Sequence, residues 1–86
     1  MKKLDKESEN KIRKHIVRKL VRRDKWSKSS YMNVRDLADG VAAHLSGYVK
    51  DVIEEMAKEG ILAYYKGKEC AYLNISKEDA RKMLEE

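Results

Sequence analysis

The sequence predicts one α+β domain in which three helices are followed by a β-hairpin and a last helix. Two observations support this prediction. Apolar residues recur at helical spacing up to Gly60 and form short strand-like runs after it. The chain has only 86 residues, which is too few for two domains. A domain of this length buries about 60–65% of its unfolded surface, so we expect one small core and no deep pocket.

The first predicted helix spans residues 5–25. Its apolar stripe consists of Ile12, Ile16, Val17, Leu20 and Val21. Acidic residues come early in this segment and basic residues come late, as the helix dipole favours. Residues 26–30 break the pattern and are predicted to form a loop, with at most a brief extended stretch at Tyr31 and Met32.

Two further helices are predicted close together in the middle of the chain. Asn33 is a good N-cap for a helix over residues 34–42. His44-Leu45 is the predicted turn, and Ser46 is the predicted cap of a third helix. Gly60 ends that third helix, as a residue with left-handed backbone does.

The hydrophobic period changes after Gly60. The runs 61–66 and 70–75 are rich in Tyr, Ile and Leu and are separated by Gly67-Lys68-Glu69, which predicts a hairpin. Side chains alternate along a strand, so one of Tyr64 and Tyr65 must face outward. That tyrosine either packs on the surface or contacts nucleic acid.

A last helix is predicted over residues 76–86. Ser76 is its N-cap, and Asp79 is the return partner in a pair like a capping box. A homodimer is an open alternative to a monomer, because apolar residues are available on the first and last helices. Such residues are Val17, Val21 and Leu84.

The composition excludes several classes of function. The longest apolar run, 61–65, is too short to span a membrane, and the charged N-terminus lacks the apolar stretch of a signal peptide, so we expect a cytoplasmic protein. His15, His44 and Cys70 do not form a metal-ligand pattern. We expect His15 on a helix flank and Cys70 as a small core or edge residue. No phosphate-binding glycine loop or nucleophile motif is present, so we expect no enzyme activity, no cofactor and no small-molecule substrate.

Positive charge is concentrated near the start of the chain. Residues 1–28 carry twelve Lys/Arg and four Asp/Glu, a net of +8, whereas residues 29–86 have a net charge of −3. Within the first segment, basic residues recur three and four positions apart and form a basic stripe along the first predicted helix. Its members are Lys11, Lys14, Arg18, Arg22 and Lys25, and Lys28 extends it into the loop.

The basic stripe has two interpretations. It is either a solvated helix face or the docking site of an acidic partner. A solvated face usually mixes both signs of charge, and aligned cations repel one another by a few tenths of a kcal/mol per pair, which an acidic partner relieves. Trp26, at the end of the stripe, either covers the core between the first helix and the hairpin or stacks on a base or a partner.

The phrase Met56-Ala-Lys-Glu-Gly60-Ile61-Leu62, at the end of a helix-turn-helix over residues 33–59, resembles the winged helix-turn-helix family. The resemblance covers residues 8–75, with the hairpin at 61–75 as the wing. It implies that the third helix is the recognition helix in the major groove. The contact positions that it implies are His44, Ser46, Gly47, Tyr48, Lys50 and Asp51. It also implies phosphate contacts from Lys66 and Lys68 in the wing, and from donors at the start of the second helix, around Ser29, Ser30 and Asn33.

The outward side of the third helix departs from a basic recognition helix. It carries Asp51 and Glu54 beside Lys50 and Lys58. Carboxylates repel phosphate, although one of them can accept a hydrogen bond from a cytosine amino group. The acidic residues therefore leave open whether this helix enters a groove.

Together these features predict a nucleic-acid-binding protein, and first a winged-helix DNA-binding protein with a role associated with transcription. Its expected partner is duplex DNA, contacted through the basic stripe and the wing. One alternative is an RNA- or ribosome-associated winged-helix protein. Another is a protein–protein interaction module with an acidic partner for the first helix.

Overall fold

Five helices and a three-stranded antiparallel sheet form the protein in the computed structural model, which describes residues 4–85. The predicted α+β class is confirmed. The elements in chain order are α1 (Lys6–Arg22), β1 (Met32–Asn33), α2 (Val34–Ala38), α3 (Ala43–Ser46), α4 (Val49–Lys58), β2 (Leu62–Tyr65), β3 (Cys70–Leu73) and α5 (Lys77–Glu85). The predicted last helix extended to Glu86, which lies outside the described residues.

Helix α1 supplies much of the core. Its buried residues are Ile12, Ile16, Val17 and Leu20, which are the centre of the predicted apolar stripe. The helix ends three residues earlier than predicted. Asp24 adopts left-handed backbone with φ +53°, and the N–H of Lys25 donates to the carbonyl of Leu20 at 3.0 Å. Lys25 therefore lies beyond the helix and is not part of its basic face.

Helix α2 begins as predicted and ends early. The side chain of Asn33 accepts a hydrogen bond at 2.8 Å from the N–H two residues along, which confirms the N-cap. The helix ends at Ala38, four residues before the predicted end at position 42, and Gly40, with φ +91°, turns the chain away. Lys19 of α1 donates to the carbonyls of Asp36 (2.5 Å) and Asp39 (2.7 Å) and so satisfies acceptors at this helix end.

The predicted turn at His44-Leu45 is wrong, because both residues lie in the short helix α3. The alanines before them favour helix. Gly47 and Tyr48 stay right-handed, and the N–H of Tyr48 donates to the carbonyl of Leu45 at 3.0 Å, so α3 and α4 form one bent helix. Ser46 does not cap α4, because its hydroxyl donates to the carbonyl three residues earlier at 2.9 Å.

The end of α4 follows the prediction. Gly60 has φ +81°, and its N–H donates to the carbonyl of Ala57 at 3.1 Å. The N–H of Ile61 donates to the carbonyl of Met56 at 2.9 Å. These two bonds form a Schellman motif, in which a glycine closes the helix and directs the chain into the next strand.

The strand order is β1-β3-β2, and both pairings are antiparallel. Residues that pair directly share a face. The inner face, toward the helices, carries Met32, Leu62, Tyr64, Ala71 and Leu73. The outer face carries Asn33, Ala63, Tyr65, Cys70 and Tyr72. Tyr64 thus packs on the core and Tyr65 faces outward, which confirms the prediction from alternation.

Helix α5 covers one side of α1. The hydroxyl of Ser76 accepts a hydrogen bond from the N–H of Asp79 at 3.1 Å, so the predicted N-cap is confirmed. Ala80 is buried in the common core, and Met83 and Leu84 are half-buried against it. Between residues 4 and 85 no helix has the length and apolar content needed to cross a membrane.

Candidate nucleic-acid interface

Four cations form one face of α1, on the side of the helix away from the core. Helical spacing places them together, and three of the four are exposed whereas Lys14 is half-buried. We call this group the α1 stripe: Lys11, Lys14, Arg18 and Arg22. The fifth predicted member, Lys25, is separated from it, and its carbonyl accepts a hydrogen bond from the N–H of Leu73 at 2.8 Å.

The α1 stripe has no carboxylate partner. Among the described residues, none of its four side chains lies within 4.0 Å of an Asp or Glu oxygen. Arg13, on a neighbouring side of the same helix, behaves differently. It donates to both carboxylate oxygens of Glu59, at 2.8 and 2.6 Å, and to Glu9 at 3.2 Å. Glu9 and Glu59 therefore pair with Arg13 and not with the stripe.

The Arg13–Glu59 contact also shifts both titrations. The guanidinium of Arg13 lowers the pKa of Glu59 by hydrogen bonding, and the carboxylate of Glu59 in turn raises the pKa of Arg13. No local sequence pattern predicts this ion pair, because its members are 46 positions apart. Only the spacing of Arg13 from Glu9 gave a local signal.

Two other basic residues of α1 hold the helix to α2. The Nε2 atom of His15 lies 2.9 Å from the carbonyl oxygen of Asp39. A carbonyl can only accept, so this nitrogen carries the proton. Lys19 donates to the same carbonyl. The helix-flank position expected for His15 is confirmed, and both side chains are occupied within the protein.

A groove of about 350 Å³ runs between α1 and residues 40–45. Lys11, Lys14 and Arg18 line its basic wall. Val41, Ala42 and Leu45 form much of the opposite wall. The groove therefore places three members of the α1 stripe beside α3, which belongs to the predicted recognition region.

The predicted recognition residues are mostly accessible. Residues 44, 46, 47, 50 and 51 are exposed, whereas Tyr48 is half-buried against the core. The hydroxyl hydrogen of Ser46 is used within α3. His44, Gly47, Lys50 and Asp51 are therefore accessible near the bend between α3 and α4.

The two wing lysines have different neighbours. The Nζ of Lys68 lies 3.9 Å from a carboxylate oxygen of Glu54 on α4, and both side chains are well exposed. The Nζ of Lys66 lies 5.2 Å from the ring centroid of Tyr31. The nearby Tyr31 side chain raises the pKa of Lys66.

Some of the predicted phosphate donors at the start of α2 are engaged within the protein. The hydroxyl of Ser30 donates to the carbonyl of Asp24 at 3.0 Å. Asn33 accepts its capping bond, and the N–H of Val34 donates to the carbonyl of Glu69 at 2.9 Å. The hydroxyl of Ser30 and the N–H of Val34 are thus used within the protein, whereas the side-chain amide of Asn33 donates to no atom of the described residues. Lys28 is exposed in the preceding turn.

Trp26 packs on the core, in agreement with the first of its two interpretations. Its neighbours differ from those expected, because it lines a groove of about 250 Å³ with Val21 and Leu84, between α1 and α5. The Nζ of Lys77 lies 5.9 Å from its ring centroid. Val17 has 0% exposure, so it cannot belong to a dimer surface.

No residue group between positions 4 and 85 resembles a metal site of three or more His, Cys, Asp or Glu ligands. Cys70 is 6% exposed, on the outer face of the sheet.

The sequence predicts only a brief extended stretch at Tyr31. The structure places its ring 4.8 Å from that of Tyr65, centroid to centroid.

Comparison with known proteins gives no relative. No protein-family model matches the chain, and no curated protein or solved structure matches it either.

Proposed function

We propose that this protein binds nucleic acid, and duplex DNA first, as a winged-helix module with a role associated with transcription. The order of elements supports this proposal. A helix, a short strand, the three helices α2 to α4 and a hairpin follow one another, and the first strand joins the hairpin in one sheet. The wing of the proposed module is the hairpin at residues 61–75.

The α1 stripe is the observation that carries the proposal. Four cations are aligned on one helix face with no carboxylate within 4.0 Å in the described chain. Such alignment costs free energy in the isolated protein, because like charges at i,i+4 repel. A phosphate backbone offsets this cost by neutralising the cations and releasing its own counterions. The groove beside α3 lets the same backbone pass close to the bend of the recognition helix.

The acidic side of α4 limits how the recognition helix is used. Asp51 and Glu55 are exposed, and Glu54 is the only one of these three carboxylates with a cation within 4.0 Å, among residues 4–85. These charges repel phosphate, so the middle of α4 is kept away from the backbone. We therefore expect His44 and Lys50, near the bend between α3 and α4, to make the contacts with bases.

Fluorescence anisotropy with a labelled duplex DNA of random sequence tests the proposal. With about 4–6 phosphates engaged, the logarithm of affinity falls with the logarithm of salt concentration at a slope of about −4 to −5. The variant Lys14→Gln/Arg18→Gln/Arg22→Gln removes three cations of the α1 stripe. Its salt slope should become shallower by about three, with weaker binding to every sequence.

A matched variant controls for net charge. The substitutions Lys77→Gln, Arg81→Gln and Lys82→Gln remove three exposed cations of α5 and leave the stripe intact. Equal losses in the two triple variants would show that the stripe is not the binding surface. A labelled structured RNA forms the second arm, and tighter binding to it at equal salt would favour RNA association. Absence of binding to either polymer at low salt would instead favour an acidic protein partner.

A further inference from the structure

The five tyrosines of the chain divide into two groups. Tyr48 and Tyr64 pack against the hydrophobic core. Tyr65 and Tyr72 lie on the outer face of the sheet. Tyr31 precedes β1 and shares this face by alternation with Asn33. Three half-buried aromatic rings thus stand on the side of the sheet opposite to the core.

These rings are arranged around small residues. Tyr72 pairs with Ala63 across β2 and β3, and Tyr65 pairs with Cys70. Cys70 lies on the central strand, and its small side chain leaves the space in which rings from the two flanking strands can meet. The rings of Tyr31 and Tyr65 do meet, with centroids 4.8 Å apart and planes tilted by 45°. We call the group Tyr31, Tyr65 and Tyr72 the tyrosine face.

A cation borders the tyrosine face. Lys66 has left-handed backbone with φ +56°, and its Nζ lies 5.2 Å from the ring centroid of Tyr31. No carboxylate oxygen of the described chain lies within 4.0 Å of this Nζ. An unpaired ammonium beside a set of aromatic rings complements a ligand that has both a flat ring and a negative charge.

We propose that the tyrosine face stacks unpaired nucleobases, so that the preferred ligand contains a single-stranded segment of DNA or RNA. This inference rests on the proposed nucleic-acid binding and adds the kind of strand that is bound. Every base has a π face that can stack on an aromatic side chain, and Lys66 is placed for the adjacent phosphate.

The composition of the face favours this occupant over an apolar protein surface. Besides the three tyrosines, the outer face presents Asn33, Ala63 and Cys70 and no large aliphatic side chain. A permanent protein interface resembles a domain core and would also present large aliphatic side chains there. Tyrosine combines a flat ring with a hydroxyl that stays in water.

The test measures binding to single-stranded DNA and to single-stranded RNA of about 12 nucleotides, each containing 2-aminopurine. Stacking should quench the 2-aminopurine fluorescence on binding. The variant Tyr72→Val should weaken binding to the single strands by about 5- to 10-fold and reduce the quenching. Tyr72→Phe keeps the aromatic ring and should retain both the single-strand affinity and the fluorescence quenching. The salt slope of duplex DNA binding should be the same in all three proteins, because the four cations of the α1 stripe are unchanged.

A second measurement uses the wild-type protein, so its result does not depend on whether a variant folds. Adding single-stranded oligothymidine to the wild-type protein should shift the NMR ring-proton signals of Tyr31, Tyr65 and Tyr72 more than those of Tyr48 and Tyr64. Unchanged signals from the tyrosine face would overturn the inference, as would equal single-strand affinity in Tyr72→Val. In both cases intact duplex binding would preserve the proposed function. Absence of binding to any nucleic acid would overturn both proposals.

Discussion

The ion pair between Arg13 and Glu59 should make a measurable contribution to stability. The guanidinium donates to both carboxylate oxygens, at 2.8 and 2.6 Å, and joins the first half of α1 to the end of α4. The Arg13 side chain is only 15% exposed, whereas that of Glu59 is 44% exposed. The change Glu59→Gln removes the charge and keeps the size of the side chain.

The expected magnitude follows from this geometry. A hydrogen bond to a charged group is worth about 1.5–3 kcal/mol. Exposed ion pairs give only about 0–1 kcal/mol, because water screens them. One partner here is shielded and the other is nearly half exposed, so we expect Glu59→Gln to destabilise the fold by about 1–2 kcal/mol. For a domain of this size that lowers Tm by about 5–12 °C.

The pH dependence gives an independent check. Arg13 lowers the folded-state pKa of Glu59. The contribution of the pair is therefore complete above the unfolded-state pKa, near about 4.3, and is lost as pH falls through the folded value. Urea unfolding followed by circular dichroism should show wild type and Glu59→Gln converging as pH falls below about 4. A difference independent of pH would refute the reasoning, as would additive effects of Arg13→Met and Glu59→Gln in a double-mutant cycle.

Three further predictions concern local features of the fold, each measured by urea or thermal unfolding. Gly40→Ala should destabilise by about 1–2 kcal/mol, because φ is +91° and the new Cβ would lie 3.0 Å from Cε1 of His15; a more stable variant would contradict this account. Ser76→Ala should cost about 1 kcal/mol through loss of the α5 cap, whereas Ser76→Asp should retain stability. Leu37→Ala should cost about 2–5 kcal/mol because Leu37 is fully buried, and a cost under 1 kcal/mol would mean that α2 is loosely packed.

Much of the secondary structure could be predicted, because its signals are local. Asn33 and Ser76 cap helices through N–H groups two or three residues away. Gly60 ends α4 through bonds within six residues. The alternation that assigns Tyr64 to the core depends only on strand geometry. Each of these features is set by residues that are neighbours in sequence.

The errors arise where distant contacts decide the backbone. Helix α1 stops before Lys25 because the backbone of that residue pairs with Leu73 of β3, 48 positions away. Helix α2 ends early where Lys19 and the ring of His15 meet the carbonyl of Asp39. Local periodicity contains no information on such contacts.

The candidate site shows the same division. The spacing of the α1 stripe could be read from the sequence, since residues three and four apart share a helix face. The sequence could not show which cations remain unpaired, because Arg13 and Glu59 come together only in the folded protein. The tyrosine face could not be predicted either, because its members come from three separate segments that only the strand register brings together.

The reactivity of the Cys70 thiol can report on ligand binding at the tyrosine face. It is the single thiol of the chain, it is 6% exposed, and it belongs to the central strand beneath the level of the surrounding rings. A maleimide reagent reaches the shielded sulfur only when the structure around Cys70 moves, so the labelling rate under native conditions measures how often that movement occurs. A ligand bound across the tyrosine face should slow this reaction, whereas one bound only along α1 should leave it unchanged. The native thiol thereby distinguishes the two surfaces kinetically, with no substitution in the chain.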